Sequence, residues 1–178
     1  SCRSDLNRVI AWICSELAVG HHRITGPGDR LSQPARIGGG LLGADYAVEK
    51  NRYRIKKIYG GLNWTPSLRS PLTEPGINAQ VGDYILAVNG NNVTTDEELY
   101  KYFENTAGKI VELTIGPNAD NNGSRTVKVV PIASEVDLRN RDWVEGNLKK
   151  VTEATNGQVA YVYVPNTTNL GHEYFKRY

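Results

Sequence analysis

Apolar and polar positions change their spacing along the chain, and the first spacing is helical. Residues 6–18 place apolar side chains at helical intervals, which predicts an amphipathic helix that Ser4 or Asp5 caps and Gly20 ends. Residues 24–40 then collect Gly, Pro, Ser and Asp without a sustained apolar period. That composition predicts a linker.

Alternation typical of strands dominates the middle of the chain. Turn residues at Lys50-Asn51 and Asn89-Gly90 separate some of these segments, and a turn-rich tip at residues 117–123 separates the last two. The pattern predicts strands within the following segments: residues 40–49, 52–59, 84–88, 109–116 and 124–132.

One helical segment interrupts these strands. In residues 94–108, Thr95 and Glu98 have the spacing of a capping box, and Gly108 supplies a stop. The predicted buried stripe consists of Leu99, Tyr102 and Phe103. Strands and helix together predict a small β-barrel with one long helix.

A new pattern starts after the last predicted strand. It indicates a helix to about Thr155 with a Gly157 cap, and then a buried strand over the apolar run 159–164. A polar loop at residues 166–171 leads into a short helical pattern that begins at His172. A helix this short is marginal alone, so we expect its domain to continue in a longer parent protein.

Composition and charge narrow the classes of partner. The chain has 39% hydrophobic residues, 21 Lys and Arg, and 19 Asp and Glu, and its apolar runs stay shorter than the ~18 residues of a membrane span. We therefore expect neither nucleic-acid nor membrane binding. Arg52, Arg54 and Lys56 share one strand face, either as a solvated surface or as a patch for phosphate or acidic peptide.

The ends of the chain leave the compartment open. The chain begins without Met or a charged-then-apolar leader. We expect both ends to be internal to the parent, with any targeting signal outside this piece. A cytoplasmic parent and a periplasmic one are both compatible with the sequence.

The histidines and cysteines offer several kinds of chemistry. His21 and His22 at a helix end fit either a favourable charge at the C-terminus or a general base. Cys2 and Cys14 are interpreted as free thiols, with a catalytic cysteine near His21 as the alternative. A metal site of Asp29, His21 and His22 has no fixed ligand spacing, so we predict neither metal nor cofactor.

The segment "SPLTEPGINAQVGDYILAVNG", residues 70–90, resembles the PDZ domains of bacterial and archaeal proteases. The resemblance implies that a peptide adds as an extra strand and that N–H groups of a glycine loop, residues 38–43, hold its terminal carboxylate. The alternatives are a loop that merely ends a linker and a groove that is blocked or vestigial. The predicted groove edge consists of Gly40, Leu41, Leu42, Gly43 and Ala44.

The flanking segments "ELAVGHH" and "LRNRDWVEGNLKKVTEATNGQVAYVYVP" look like the tricorn protease family, serine peptidases related to the tail-specific proteases. In that family a PDZ domain is inserted between two halves of the catalytic core. The resemblance implies an α+β chain with four parts: residues 1–23, the end of a helical first half; 24–38, a linker; 39–133, the PDZ domain; and 134–178, the truncated start of an α/β second half.

The resemblance also implies roles for individual residues. His21 matches the catalytic histidine, next to Gly20 where the family has an orienting serine, and His22 is the fallback. Gly171 matches a glycine whose N–H helps to form the oxyanion hole, while His172 is expected at the surface. The nucleophilic serine and the acidic residue would lie beyond Tyr178.

These roles imply a peptide hydrolase that works through an acyl-enzyme, with the PDZ domain positioning or gating the peptide. The expected partners are a peptide substrate and the remainder of the parent polypeptide, and the parent is expected to be a homo-oligomer. The isolated chain is expected to be inactive. The alternative is a non-enzymatic PDZ adaptor that binds peptides.

Overall fold

The computed structural model describes residues 2–18, 20, 23–24 and 37–177. Contacts divide the chain into two units, Ser1–Arg36 and Ile37–Tyr178. The first unit contains helix α1, Arg3–Ser15. His21, His22 and Asp29 lie outside the described residues.

Helix α1 confirms the predicted amphipathic helix but not its boundaries. Cys2 is the N-cap, and its backbone N–H donates to Asp5 Oδ2 at 2.9 Å. The predicted caps Ser4 and Asp5 are wrong because both residues lie inside the first turn, where the Asp5 carboxylate complements the positive end of the helix dipole. The helix ends at Ser15, before the predicted stop at Gly20.

The second unit is built on an antiparallel sheet whose strands are β1 Ala44–Glu49, β2 Arg52–Ile58, β3 Tyr84–Val88, β4 Asn91–Asn92, β5 Val111–Gly116 and β6 Arg125–Val129. Their order in the sheet is β1-β2-β3-β5-β6, with β4 paired to β3. Positive φ angles at Lys50 and Asn51, and at Asn89 and Gly90, confirm the two predicted turns. Strands β1, β2, β3, β5 and β6 confirm the five predicted strands, and β4 is an additional short strand.

One face of this sheet forms the hydrophobic core. Strand β5 buries every second residue, and β3 is buried along most of its length. The ends of the sheet approach each other, because Leu41 and Ile132 exchange two backbone hydrogen bonds of 2.8 and 2.9 Å. This bridge curls the sheet towards the predicted barrel.

The predicted long helix over residues 94–108 is wrong: the structure has a short 3₁₀ helix, Leu99–Phe103. Thr95 does not cap it, because its N–H donates to the Asn51 carbonyl at 3.3 Å and its hydroxyl to the Asn51 side chain. The tertiary bond to the β1–β2 turn competes with the helix start. Leu99 and Phe103 still reach the core, at 2% and 1% exposure.

Helix α2, Val136–Ala154, confirms the predicted helix, and Gly157 ends it as predicted with a φ of +75°. The Gly157 N–H donates to the Thr152 carbonyl at 2.9 Å, which satisfies one of the terminal carbonyls. Helix α3, Asn169–Arg177, begins before the predicted His172. None of the helices that the structure describes is both long enough and apolar enough to cross a bilayer.

The predicted buried strand over residues 159–164 is wrong for the described chain. No described strand pairs with this run, and Val159, Val162 and Val164 are exposed. Its tyrosines instead pack against α2: Tyr161 accepts a 3.2 Å hydrogen bond from Asn147, and the Tyr163 ring lies 5.7 Å from that of Trp143. An apolar run becomes a strand only where a neighbour completes its hydrogen bonds.

Candidate peptide-binding site

Strand β1 has an unpaired outer edge. Its only described neighbour in the sheet is β2, where Tyr46 lies opposite Ile55. Ile55 donates to Asp83 and accepts from Gly82, each at 2.8 Å, so its backbone groups face away from β1. In an antiparallel ladder, paired residues point their backbone groups either at each other or away from each other, so the N–H and C=O of Tyr46 point outward. The direction alternates along a strand, so the N–H and C=O of Val48 point outward as well. The edge can therefore pair with another strand.

A cavity of about 400 Å³ runs beside this edge, which we call the β1 groove. The 3₁₀ helix and the segment before it form the opposite wall, and the Tyr53 hydroxyl donates to the Glu97 carbonyl at 2.9 Å. Such a cleft offers backbone pairing on one side and apolar and aromatic side chains on the other. The lining residues are Asp45, Tyr46, Ala47, Val48, Tyr53, Lys56, Glu98, Leu99 and Tyr100.

The basic residues of β2 have separate surroundings. Arg54 pairs with Glu49 at 2.8 Å, and Arg52 donates to Asn92 Oδ1 at 2.7 Å, whereas Lys56 lines the β1 groove. They do not form a common phosphate site. The structure therefore favours the solvated strand face for Arg52 and Arg54.

Three N–H donors of the predicted carboxylate cradle are engaged within the fold. The N–H of Gly40 donates to the Phe103 carbonyl and that of Leu41 to Ile132, both at 2.8 Å. The Gly43 N–H donates to Glu135 Oε1 at 2.7 Å. Of the predicted groove edge, Leu42 and Ala44 turn their side chains into the core, at 2% and 1% exposure.

Two of the loop glycines are required, one by packing and the other by its backbone conformation. A Cβ on Gly40 would lie 2.2 Å from Thr106 Oγ1 and 2.7 Å from Pro131 Cβ. Gly43 has a φ of +74°, which L side chains rarely adopt. Their presence is therefore explained without a ligand.

Glu135 is the functional candidate that sequence reasoning missed. It is 7% exposed at the start of α2, and its second oxygen accepts from Arg139 Nε at 2.9 Å and Nη2 at 2.7 Å. The third nitrogen of Arg139 donates to Asp45 at 2.9 Å and to the Tyr59 hydroxyl at 2.7 Å. The i, i+4 spacing of Glu135 and Arg139 was a signal for their pairing, though not for the contact with Gly43.

This cluster shifts the titration of its members. Burial, and then the hydrogen bond to Asp45, raises the pKa of Tyr59 to about 12. Burial alone would raise the pKa of Asp45, but hydrogen bonds from Tyr59 and Arg139 bring it below its ordinary value. Burial also opposes the charge of Arg139, yet the bonds to Glu135 and Asp45 raise its pKa. The charged and neutral forms that hold the cluster together are thus stabilised at neutral pH.

The predicted oxyanion donor Gly171 is buried in the first turn of α3. Its N–H donates to Asn166 Oδ1 at 3.0 Å, and a Cβ there would lie 1.7 Å from the Asn166 carbonyl oxygen. His172 is exposed, as expected. Because His21 and His22 lie outside the described residues, their placement relative to Gly171 stays a prediction.

Cys2 and Cys14 are free thiols, as predicted. Within the described ranges, no group of three or more His, Cys, Asp or Glu side chains is arranged to hold a metal ion.

The chain matches a known family and several known proteins. Residues 40–134 match the family described as the tricorn protease PDZ domain. The chain is 34% identical over 163 residues to tricorn protease homolog 1 of Streptomyces coelicolor, and 31% identical over 180 residues to the tricorn protease homolog of Saccharolobus solfataricus. These alignments cover 91% and 99% of this chain but 15% and 16% of the relatives.

A solved structure shows the same fold. The chain superposes on the crystal structure of the tricorn protease with a TM-score of 0.73, at 23% identity, over 99% of this chain and 17% of that one. The chain therefore spans about a sixth of the length of the proteins it resembles.

Proposed function

We propose that this chain, which belongs to the tricorn protease PDZ domain family, binds extended peptide segments in the β1 groove and positions them for a tricorn-type serine peptidase. The observation that carries the proposal is the unpaired edge of β1 beside a cavity of about 400 Å³. An extended peptide satisfies such an edge by adding a strand.

The groove supports recognition by backbone pairing more than by side-chain contacts. Tyr46 and Val48 would exchange hydrogen bonds with the peptide main chain, while alternate peptide side chains enter the cavity and point to solvent. Leu99 and Tyr100 supply the opposite wall. Selectivity for the peptide sequence would therefore be modest.

The hydrolytic role rests on the resemblance of the flanking segments to the tricorn family and on the names of the relatives. In the proposed parent, His21 deprotonates a serine supplied by a later part of the polypeptide, and the Gly171 N–H receives the oxyanion. In this structure the Gly171 N–H donates to the side chain of Asn166. The Asn166 carboxamide would therefore turn away when substrate binds. This chain alone is proposed to be inactive, and the parent to assemble as a homo-oligomer.

Peptide titration followed by amide resonances tests the binding proposal. A short peptide of alternating valine and lysine, blocked at both ends, should shift the resonances of residues 45–48 and 98–100. Val48→Pro removes an outward N–H and should weaken binding about 10-fold, whereas Val48→Ala should not. Shifts confined to other surfaces, or equal affinity of the two variants, would contradict the proposal.

The hydrolytic proposal needs the full-length parent. His21→Ala should abolish peptide hydrolysis without loss of folding, and His22→Ala should cost much less. A parent that binds peptide but never cleaves it would support the adaptor instead.

A further inference from the structure

We infer that Glu135 occupies the place at the end of the β1 groove where a peptide's terminal carboxylate would bind, so the groove selects internal polypeptide segments over free C-termini. The inference rests on the proposed function, since it concerns what the groove accepts. It names Glu135 as a specificity-determining residue.

Gly43 lies at the end of the groove that a peptide's C-terminus would reach. Gly43 directly precedes β1, and a peptide that runs antiparallel to β1 brings its C-terminus to this end of the strand. There the Gly43 N–H already donates to Glu135 Oε1 at 2.7 Å. A carboxylate from the protein thus holds the donor that a peptide carboxylate would need.

Glu135 is firmly held by hydrogen bonds. Its other oxygen accepts two hydrogen bonds from Arg139, and Arg139 is fixed in turn by Asp45 and by the Tyr59 ring, 4.5 Å from the guanidinium carbon. Hydrogen bonds to ionised groups are the stronger ones, so a peptide carboxylate would compete against several at once.

Two further N–H donors of the loop are engaged within the fold. The N–H groups of Gly40 and Leu41 are used by Phe103 and Ile132 in the backbone bridges that close the sheet. Opening them would break the fold at this end. A terminal carboxylate would therefore meet a second carboxylate without free donors from these residues.

The charged residues around the groove also disfavour a terminal carboxylate. Among charged neighbours, Glu135 contributes most to the raised pKa of Tyr46 and of Tyr100, after burial, and Arg139 opposes it in both cases. A second concavity of about 560 Å³ shares Glu98 and Tyr100 with the groove and reaches Gly38 and Gly39. It is mostly acidic, and it provides room for a polypeptide that continues; its charged residues are Asp96, Glu97, Glu98, Lys101 and Glu104.

Three forms of one peptide test the inference on the chain as it stands. The alternating valine and lysine peptide is compared with a free C-terminus, with an amide, and with a glycine-serine extension. The amide and the extended form should bind at least as tightly as the free acid. A free acid that binds about 10-fold tighter than the amide would overturn the inference and leave the proposed function intact.

Two variants of Glu135 form a matched pair. Glu135→Ala removes the acceptor and leaves the Gly43 N–H and Arg139 available, so the free acid should now bind about 10-fold tighter than the amide. Glu135→Gln keeps a carbonyl oxygen for Gly43, so it should show no such preference. The same preference in both variants, or in neither, would contradict the assigned role.

The Gly43 amide resonance gives a readout that needs no peptide. It should shift upfield in Glu135→Ala because a hydrogen bond to a carboxylate is lost, and shift less in Glu135→Gln. An unchanged resonance in Glu135→Ala would overturn the inference. If no form of the peptide binds, the proposed function fails, and this resonance still decides whether Glu135 occupies the loop.

Discussion

The two ends of the candidate site are made by consecutive residues, yet one is open and the other closed. Along β1, the outward groups of Tyr46 and Val48 have no strand beside them in the described chain. In the loop just before it, Gly40, Leu41 and Gly43 donate to three separate parts of the fold. The comparison shows that a glycine-rich loop is not by itself a binding loop, because residues far away in sequence decide whether its N–H groups are available to a ligand.

The closed end should be the more sensitive to added volume. Gly40→Val would force its side chain into Thr106 and Pro131, and we expect a loss of about 3 kcal/mol in the free energy of unfolding. Urea denaturation of the whole chain measures it. Gly38→Ala is the control, since a Cβ there meets nothing within 4 Å; equal losses would show that the loop is not packed as described.

Removing the carboxylate at the closed end should cost less. Glu135→Ala leaves the Gly43 N–H unsatisfied and takes one partner from Arg139, for a loss of about 2 kcal/mol. Glu112→Ala removes an exposed carboxylate 4.0 Å from Lys128 and should change stability by less than about 0.5 kcal/mol. If the two variants unfold at the same urea concentration, Glu135 does not hold this end closed.

Alkaline pH should loosen the same cluster. The pKa of Tyr59 is raised to about 12, so its stabilisation is complete below the ordinary tyrosine pKa of about 10 and is lost as pH rises through 12. Allowing for solvent around Asp45, this loss is about 1 kcal/mol. Urea denaturation from pH 9 to 12 should show a shallower decline for Tyr59→Phe; parallel declines would rule out this contribution.

The open end should tolerate a loss of its outward donor. Val48→Pro removes an N–H that faces no described strand, so it should cost only about 0.5 kcal/mol. Ala47→Pro is the matched control: Ala47 faces Arg54 in the ladder, and its loss should be about 3 kcal/mol. The reverse order would mean that the edge is assigned to the wrong face of β1.

Sequence patterns predicted the sheet better than they predicted the site. Alternation and turn residues suffice for the strands, because both are local signals, as at Lys50-Asn51. The long helix was wrong because Thr95 bonds to Asn51, a tertiary contact that no local pattern shows. The predicted strand at residues 159–164 was wrong because a ladder needs a partner as well as an apolar run.

The resemblance predicted a groove edge, but not the residues that line the β1 groove. The predicted edge consists of residues 40–44, whereas the described groove is lined by the β1 residues that follow them, residues 45–48. The occupant of the loop, Glu135, is 92 residues from Gly43 in sequence. Contacts across such a separation follow from the completed fold and leave no periodic signal.

The crowding at Gly171 limits what mutagenesis can say about catalysis. Even a methyl group there would overlap the Asn166 carbonyl oxygen. A saturation scan at this position should therefore retain glycine alone, both when variants are selected for hydrolysis and when they are selected for folding. Inactive variants at this position would report a displaced loop instead of a missing donor. Replacing the amide by a backbone ester, which deletes the proton and adds no atoms to the side chain, is the substitution that separates the two.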